Sequence, residues 1–387
     1  MRTRVLTIVS LVTTLSAAGV RGEDFSRPIP GLTAAEQGQF FAGREAFEEV
    51  ESAADGLGPV FNDTSCGVCH SVGGSGGGSD RIETRFGAYN VREFDPLASH
   101  GGSLIQTDGI GPWAACNFVG EKVPPNATVV AGRRATPLFG LGLVDAVPNQ
   151  TFVNLARRQA WQHPEIAGRP HVITDIATGK PAVGRFGWKN QVASLLVFSA
   201  DAYLNEMGIT TPLFPDESCP QGDCSLLAAC DPIAGVDDDM EDVELFRDFM
   251  AFLAPPSRGR ATASAFYGAR VFDDVGCAGC HVPALTSGKS ATRALSEKIF
   301  RPYSDFLLHD MGALGDGIVQ GNARGRDMRT APLWGLRLLT TYLHDGRATT
   351  LDQAILAHDG QGRYARERYR RLSREGKDRL LAFLRTL

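Results

Sequence analysis

Cys66-Gly67-Val68-Cys69-His70 and Cys277-Ala278-Gly279-Cys280-His281 are two copies of the pentapeptide Cys-x-x-Cys-His in a chain of 387 residues. In this motif the two thiols attach covalently to a haem, and the adjacent histidine is placed to bind the iron from one face. A single copy could instead be a redox or zinc Cys-x-x-Cys beside an idle histidine. Two copies, each preceded by a helix-like segment, predict two covalently bound haem c groups, held by the four cysteines and ligated by His70 and His281. We call them the first and the second haem.

The beginning of the chain predicts export. Residues 1–4 carry two arginines, residues 5–20 are apolar or small, and Val20-Arg21-Gly22 ends in a small residue, as a secretory signal requires. An apolar run of roughly sixteen residues is shorter than the twenty or so that cross a bilayer. We therefore predict a signal peptide at residues 1–22, no membrane span after its removal, and a periplasmic or otherwise exported protein.

The overall composition and the cysteines outside the two motifs limit the kinds of protein that this chain can be. The chain has 43% hydrophobic residues and a formal net charge of −5, so it can bury a sizeable core and is not expected to bind nucleic acid. Outside the two motifs there are four further cysteines, Cys116, Cys219, Cys224 and Cys230. In an oxidising compartment these are expected to form one or two structural disulfides, whose pairing the sequence leaves open.

The two halves of the chain repeat each other around the motifs. Phe41-x-Gly43-x-x-x-Phe47 precedes the first motif and Phe266-x-Gly268-x-x-x-Phe272 precedes the second. We expect both phenylalanines of each copy to share one helical face and to pack on the haem of that half. Arg134–Leu141 follows the first motif and matches Arg329–Leu336 after the second, which indicates two related cytochrome-like domains.

Helical patterns predominate between these segments. Val243, Phe246, Met250 and Leu253 recur at helical spacing, and the pattern stops at Pro255-Pro256, which we interpret as a domain boundary. The predicted fold is mainly α, with little β structure and two cytochrome c-like haem domains in one chain. The first domain, with a long insertion, covers residues 23–254, and the second covers residues 255–387.

The end of the chain and one segment rich in glycine give two further predictions. Leu380, Leu384 and Leu387 predict a closing helix at the end of the chain. The segment Gly73–Ser79 consists of glycine and serine alone, and we expect it to form a flexible loop beside the first haem.

The repeated segments differ at a position that bears on iron ligation. Four residues before the shared proline, the second half has Met328 and the first half has Arg133. A methionine thioether opposite a histidine gives a six-coordinate haem of higher potential, which suits electron transfer. We therefore predict that Met328 ligates the second haem, and that the first haem has an exchangeable position.

Other ligands stay open. Met328 could be an ordinary core methionine, and His309 and Met311 are rival ligands of the second haem. His100 lies downstream of the first motif in the same half and could close the sixth position there. A lone histidine is more often an ordinary hydrogen-bonding residue.

Several motifs together resemble one family. Besides the two Cys-x-x-Cys-His copies, these are Gly184–Lys189, Asn205–Gly208, Arg329–Gly335 and His344–Arg347. The combination is similar to the bacterial di-haem oxidoreductases, which are often labelled thiol oxidoreductases. That family is related to the di-haem cytochrome c peroxidases and to the methylamine-utilisation di-haem enzyme. The resemblance covers nearly all of the mature chain and is looser between Asn90 and Arg185.

The resemblance implies roles for Trp188 and Glu206, which occupy places matching those of a tryptophan and a glutamate in the peroxidases. An aromatic ring between two haems shortens the steps of electron tunnelling, and a carboxylate above an open iron can move a proton between peroxide oxygens. This chain departs from the peroxidase pattern, because Gly187 is an extra glycine and no Asp-Gly-Arg follows the tryptophan. The thiol oxidoreductase label has no visible support, since the additional cysteines form no recognisable redox pair.

The function that the resemblance implies is that of a di-haem oxidoreductase, with a peroxidase as the leading hypothesis. Electrons would enter at the second haem, pass Trp188 and reach the first haem, where Glu206 would assist the reduction of a peroxide. A cytochrome c or a cupredoxin would be the donor. The related peroxidases also share a calcium ion between their domains, for which the sequence shows no dedicated loop. Two alternatives stay open: a pure electron carrier, and an enzyme that oxidises residues of a partner protein.

Overall fold

Most of the regular structure is helical. A computed structural model describes residues 25–387, so the predicted signal peptide at residues 1–22 lies outside the described residues. Within residues 25–387 the helices are α1 (Ala34–Glu48), α2 (Cys66–Cys69), α3 (Leu141–Asp145), α4 (Asn149–Gln162), α5 (Leu195–Met207), α6 (Leu227–Cys230), α7 (Glu241–Phe252), α8 (Ala263–Val275), α9 (Leu351–Ala357), α10 (Arg363–Arg370) and α11 (Arg374–Leu384).

The strands are short and pair into small antiparallel sheets. In the same described part of the chain they are β1 (Val60–Phe61), β2 (Ile82–Asn90), β3 (Glu93–Asp95), β4 (Asp108–Gly109), β5 (Val129–Arg134), β6 (His171–Thr174), β7 (Pro181–Gly184), β8 (Leu285–Thr286), β9 (Ile299–Phe300), β10 (Leu308–Asp310) and β11 (Asp327–Arg329). One sheet has the order β3-β2-β5, and the other pairs are β1-β4, β6-β7, β8-β9 and β10-β11. The helical part of the predicted fold class is confirmed, but the three-stranded sheet is not anticipated by the sequence pattern.

Two helix pairs have the same construction in the two halves. α1 packs on α7, and α8 packs on α11. At each crossing a glycine lets the two backbones approach closely. A Cβ atom on Gly43 would lie 2.2 Å from the carbonyl oxygen of Leu245, and one on Gly268 would lie 1.9 Å from that of Arg379. No side chain fits at such distances, so the two matched glycines permit both helix pairs to pack.

The matched phenylalanines do not share one helical face, which corrects the expectation from the sequence. Phe47 and Phe272 are 3% and 2% exposed, whereas Phe41 and Phe266 are 50% and 63% exposed. Six residues in an α-helix turn the chain through more than one and a half turns, so the two rings of each copy point in different directions. The feature that both halves repeat is therefore a glycine followed, four residues later, by a buried phenylalanine.

The hydrophobic core forms two main clusters. One contains buried residues mostly from residues 25–253, and the other lies entirely within residues 272–387. The predicted helix before Pro255-Pro256 is confirmed as α7, and the predicted closing helix is confirmed as α11. The first cluster also takes in apolar side chains from residues 285–307 together with Trp334. The domain limits 23–254 and 255–387 therefore stay a prediction.

Four of the eight cysteines form disulfide bonds. Cys116 pairs with Cys230 at a separation of 114 residues, and Cys219 pairs with Cys224 at a separation of 5. The four cysteines of the two haem motifs are free thiols. The structure thus supplies the pairing that the sequence left open and keeps the motif cysteines available for other chemistry. In residues 25–387 no helix combines the length and the apolar character needed to cross a membrane.

Candidate functional site

The second motif lies in the wall of a large cavity whose surface is mostly apolar. The cavity has a volume of about 520 Å³ and is lined by Cys277, Cys280 and His281 together with side chains from both halves of the chain. Sites for cofactors and drug-sized ligands measure about 300–1,000 Å³. Two free thiols, an imidazole and an apolar enclosure are what a covalently attached haem requires. The residues at this motif therefore fit the group that the sequence predicts.

The histidine of each motif is oriented by a hydrogen bond to the backbone. Nδ1 of His281 lies 3.0 Å from the carbonyl oxygen of Tyr303, and Nδ1 of His70 lies 3.0 Å from that of Gly77. Burial lowers the pKa of both rings, that of His281 to about 4, so both are neutral at pH 7. A neutral imidazole that donates from Nδ1 presents the lone pair of Nε2, which is the usual arrangement of a metal-ligating histidine.

A buried arginine, Arg329, lines the cavity, and no counter-ion for it is found among residues 25–387. Arg329 is 5% exposed, and its Nε donates to the carbonyl oxygen of Gly187 at 2.8 Å. No ion pair reaches its guanidinium from the described residues, and burial alone lowers its pKa to about 10, so it stays charged at pH 7. A buried cation is costly unless an anion compensates it. The propionate carboxylates of a haem would supply such an anion, which is a second observation that fits the cofactor.

The three ligands considered for the second haem all line this cavity. Met328 is 5% exposed in β11 and pairs across the strands with His309 in β10. Nδ1 of His309 lies 3.6 Å from Sγ of Cys280, and its Nε2 lies 3.1 Å from Oδ2 of Asp305. Both ring nitrogens of His309 are engaged, so this residue neighbours the thiol without a free lone pair for iron. The role of Met328 stays a prediction, as does that of Met311.

The loop Gly73–Ser79 encloses the histidine of the first motif. Val72 and Gly78 exchange backbone hydrogen bonds of 3.0 and 3.1 Å, and the N–H of Gly77 donates to the carbonyl oxygen of His70 at 3.1 Å. A Cβ atom on Gly77 would lie 2.0 Å from the carbonyl oxygen of Val72. The expectation of a flexible loop is therefore corrected: the glycines permit close backbone contacts, and residues 76–79 are buried.

Each motif histidine has one phenylalanine neighbour at a matching position. The ring centroid of Phe47 lies 6.0 Å from that of His70, and the ring centroid of Phe272 lies 6.5 Å from that of His281. Both phenylalanines belong to the matched helices α1 and α8. The repeat seen in the sequence is thus a repeat in space, in which the same helix position supports the same histidine.

Glu206 lies beside the first motif, near the end of α5. The next residue, Met207, places its Sδ 3.8 Å from Sγ of Cys66. The carbonyl oxygen of Glu206 accepts from the N–H of Asn62 at 2.7 Å, and its Oε2 accepts from Nδ2 of the same asparagine at 2.9 Å. The segment that leads into the first motif is thereby fixed to the end of α5. The catalytic role of Glu206 stays a prediction.

The carboxyl group of Glu206 holds a proton at neutral pH. Burial, and then the negative charge of Glu83, raise its pKa to about 8. Burial opposes the ionisation of Glu83 too, but the Arg85 guanidinium, whose Nε lies 3.0 Å from Oε1 of Glu83, lowers the pKa of that carboxyl. The pair therefore consists of one protonated carboxyl and one carboxylate, both half-buried.

Trp188 connects the two repeated segments. Its indole Nε1 donates to the carbonyl oxygen of Arg134 at 2.8 Å, and its own carbonyl oxygen accepts from the N–H of Arg329 at 2.9 Å. The Arg329 guanidinium lies 5.9 Å from the centroid of the Trp188 ring, which also lines the cavity of the second motif. The first residue of each repeated segment is thus in contact with this tryptophan.

Arg133, which stands where the second half has Met328, forms a buried ion cluster. Its Nη2 lies 2.6 Å from Oδ2 of Asp316, and Nζ of Lys189 lies 2.8 Å from Oδ1 of the same aspartate. All three side chains are at most 1% exposed. The arginine therefore serves to bind the carboxylate of Asp316.

His100 is not brought to the first motif by any interaction of its ring. It ends a short 3-10 turn, Ala98–His100, and its carbonyl oxygen accepts from Nε2 of Gln221 at 3.0 Å. Neither a hydrogen bond nor a ring contact links this imidazole to residues 66–70 in the described chain. Its role as a ligand stays a prediction without structural support.

A family model described as "Di-haem oxidoreductase, putative peroxidase" matches residues 119–387. The chain belongs to this di-haem oxidoreductase family. The match includes the second motif, Trp188 and Glu206, and begins after the first motif. Membership supports two haem groups and oxidoreductase activity for this chain. The resemblance inferred from the motifs is therefore confirmed, while covalent attachment and the roles of single residues stay predictions.

Solved structures similar to this di-haem oxidoreductase have low sequence identity to it. A MauG-like protein associated with microbial copper homeostasis has 13% identity and a TM-score of 0.42, with 98% of this chain and 95% of that chain covered. Hydrazine synthase from Kuenenia stuttgartiensis has 15% identity and a TM-score of 0.39, with 100% of both chains covered. A variant of the diheme peroxidase BthA from Burkholderia thailandensis has 14% identity and a TM-score of 0.32, with 74% and 93% covered. No curated protein matches the chain.

Three residues of this di-haem oxidoreductase site are missed by sequence reasoning. Asn62 and the pair Glu83 and Arg85 surround Glu206 but belong to no recognised motif. The two charges stand two residues apart in β2 and so point to one side of the strand. An acidic and a basic residue two positions apart in a strand would have been a signal for an ion pair, although surface strands show the same pattern.

Proposed function

We propose that the chain is an exported, peroxidase-like di-haem c oxidoreductase. A small redox protein, either a cytochrome c or a cupredoxin, would deliver electrons at the second haem, and a peroxide would be reduced at the first. The observation that carries the proposal is the half-buried Glu206 carboxyl beside the first motif, held by Nδ2 of Asn62 at 2.9 Å, because reduction of a peroxide to water needs a proton source. The two disulfide bonds support the exported location.

Each motif would hold its haem through two thioether bonds and one histidine. Cys66 and Cys69 with His70 form the first set; the matching residues of the second motif form the other. When bound, the two groups would supply one-electron redox chemistry at their irons. Reduction of hydrogen peroxide to two water molecules consumes two electrons and two protons, so the protein has to provide a path for the electrons and a source for the protons.

Proton supply is the part that this chain's own residues perform. Glu206 carries a proton below about pH 8, and its Oε2 is positioned by Nδ2 of Asn62 at 2.9 Å. Glu83 stays ionised because the Arg85 guanidinium lowers the pKa of its carboxyl. Its carboxylate can therefore accept the proton of Glu206. A carboxyl group held in this way can donate a proton to a leaving oxygen and be reprotonated afterwards.

Trp188 is the residue that the proposal places between the two haem domains. Its indole N–H is anchored on Arg134 in the first half, and its carbonyl oxygen accepts from Arg329 in the second half. These contacts fix the ring, which is part of the lining of the cavity of the second motif. A fixed aromatic ring is suited to the passage of electrons from one half to the other.

The test of the proposed function is a stopped-flow experiment with the fully reduced, haem-loaded protein and hydrogen peroxide. We expect the absorption bands of both haem groups to shift to their oxidised positions on mixing, with water as the product and with turnover in the presence of a reduced small cytochrome. Bands that stay unchanged on a physiological timescale would contradict the proposal and favour a pure electron carrier.

Replacing Trp188 by phenylalanine tests the path between the domains. The variant keeps a ring but loses the hydrogen bond to Arg134, so we expect turnover driven by a small cytochrome to fall roughly tenfold, equal to about 1.4 kcal/mol in barrier height. Trp161→Phe is the control, because Trp161 is 80% exposed on α4. Equal turnover in both variants would show that electrons do not pass Trp188.

A further inference from the structure

Two half-buried histidines lie close together in the lining of the cavity of the second motif. His281 belongs to the motif itself, and His358 follows directly after α9. The centroids of their rings lie 6.4 Å apart with an angle of 58° between the ring planes, and both residues line the cavity. His358 belongs to none of the motifs discussed above.

The two rings are held in the same way. Nδ1 of His358 lies 2.8 Å from the carbonyl oxygen of Ala354, one helical turn earlier, as Nδ1 of His281 lies 3.0 Å from that of Tyr303. Within the described chain Nε2 of neither ring makes a hydrogen bond. Each histidine therefore presents a free Nε2 to the same cavity, with its tautomer fixed by a backbone carbonyl.

The separation of the rings fits a metal between them. An imidazole nitrogen binds a first-row metal at about 2.0 Å, so two imidazoles on opposite sides of one ion hold their centroids roughly 6 Å apart. We propose that His358 is the axial ligand opposite His281 on the second haem. The proposal rests on the cofactor of the proposed function and replaces Met328 in that role.

The local structure makes His358 a fixed residue. Thr350 caps the beginning of α9 by accepting the N–H of Gln353 at 3.1 Å, and His358 is the residue that caps its end, with its backbone N–H donating to the carbonyl oxygen of Ile355 at 3.3 Å. Beyond the histidine, a Cβ atom on Gly362 would lie 3.1 Å from Cβ of His358. The helix end on one side and the close turn on the other leave the ring little freedom to leave the cavity.

The other residues considered as ligands of the second haem either bind other groups or make no ring contact or hydrogen bond with His281 in the described chain. His309 uses both ring nitrogens, on Cys280 and on Asp305. Met328 lies in the wall, in the middle of the β10-β11 pair. Of the residues weighed for this position, His358 is the one whose ring stands opposite the motif histidine with a free nitrogen.

The assignment predicts two nitrogen ligands on the second haem, and hence a lower potential than a histidine and methionine pair would give. The test uses low-temperature electron paramagnetic resonance of the oxidised, haem-loaded protein, with haem content measured alongside. In His358→Ala we expect the low-spin signal of the second haem to be lost and a high-spin signal to appear, with two haems per chain retained by the thioether bonds. In Met328→Leu we expect the low-spin signal to be unchanged.

His358→Met keeps the assignment testable if the alanine variant fails to fold. We expect the near-infrared absorption band of a methionine-bound ferric iron, absent from the wild type, together with a raised potential. A low-spin signal that survives in His358→Ala and disappears in Met328→Leu would overturn the assignment. A signal that depends on His358 in a protein that does not react with peroxide would instead overturn the proposed peroxidase function alone.

Discussion

Replacing Glu206 by glutamine should lower peroxide turnover by about 10²- to 10³-fold, the range lost with a general acid. Glutamine keeps the size of the side chain and can still accept from Asn62, but it carries no transferable proton. The measurement is steady-state reduction of hydrogen peroxide by the haem-loaded protein with a reduced small cytochrome. Turnover within threefold of the wild type would show that the proton comes from elsewhere.

A matched control is available in Glu217. Burial, and then the charge of Asp237, raise the pKa of this carboxyl to about 8, as at Glu206, and both of its oxygen atoms are buried. Glu217→Gln removes a carboxyl with the same raised pKa at a place that the mechanism does not use. We expect its turnover to equal that of the wild type.

The same two carboxyl groups predict how stability depends on pH. A carboxyl whose pKa is raised from 4.5 to about 8 on folding binds its proton more tightly in the folded state. Between those values the folded chain holds more protons than the unfolded chain, so stability falls as pH rises from about 4.5 to 8. Each glutamine variant should flatten this fall in chemical denaturation, whereas only Glu206→Gln should also remove the loss of turnover above about pH 8.

Replacing Asp316 by asparagine should destabilise the chain by about 3–5 kcal/mol, the cost of leaving buried charges without their partner. Arg133 and Lys189 both bind this carboxylate, and all three side chains are at most 1% exposed. The measurement is the free energy of unfolding from denaturant titration of the haem-loaded protein.

The control for this substitution is an exposed ion pair. Glu375 pairs with Arg379 on the surface of α11, where their side chains are 71% and 40% exposed. Surface pairs of this kind contribute about 0–1 kcal/mol, so Glu375→Gln should cost little. Equal costs for the two variants would show that the cluster around Asp316 is hydrated in solution.

Much of the fold could be predicted because it depends on local patterns. The haem motifs, the helices that precede them and the helix before Pro255-Pro256 follow from spacing within about fifteen residues. The exposed positions of Phe41 and Phe266 were open to prediction as well, since the angle between helix positions six apart is fixed by geometry.

The remaining features depend on contacts between distant segments. Glu206 meets Glu83 over more than a hundred residues, and Arg133 meets Asp316 across the two halves. Local sequence patterns cannot predict such pairs, because each charged residue taken alone resembles one on the surface. His358 is missed for the same reason, because only its position beside the His281 ring in the folded chain indicates a role as a ligand.

The closed loop Gly73–Ser79 bears on how the protein could be altered in the laboratory. A run of glycines and serines is where an engineer would insert an epitope tag or a fluorescent fusion, on the assumption that the chain there tolerates extra residues. Here a single methyl group on Gly76 would lie 2.5 Å from Cδ2 of Leu253, and the neighbouring glycine supplies the carbonyl that orients His70. Labels are better placed in the exposed stretch 234–236, because an insertion within the loop would displace the imidazole on which the first haem depends.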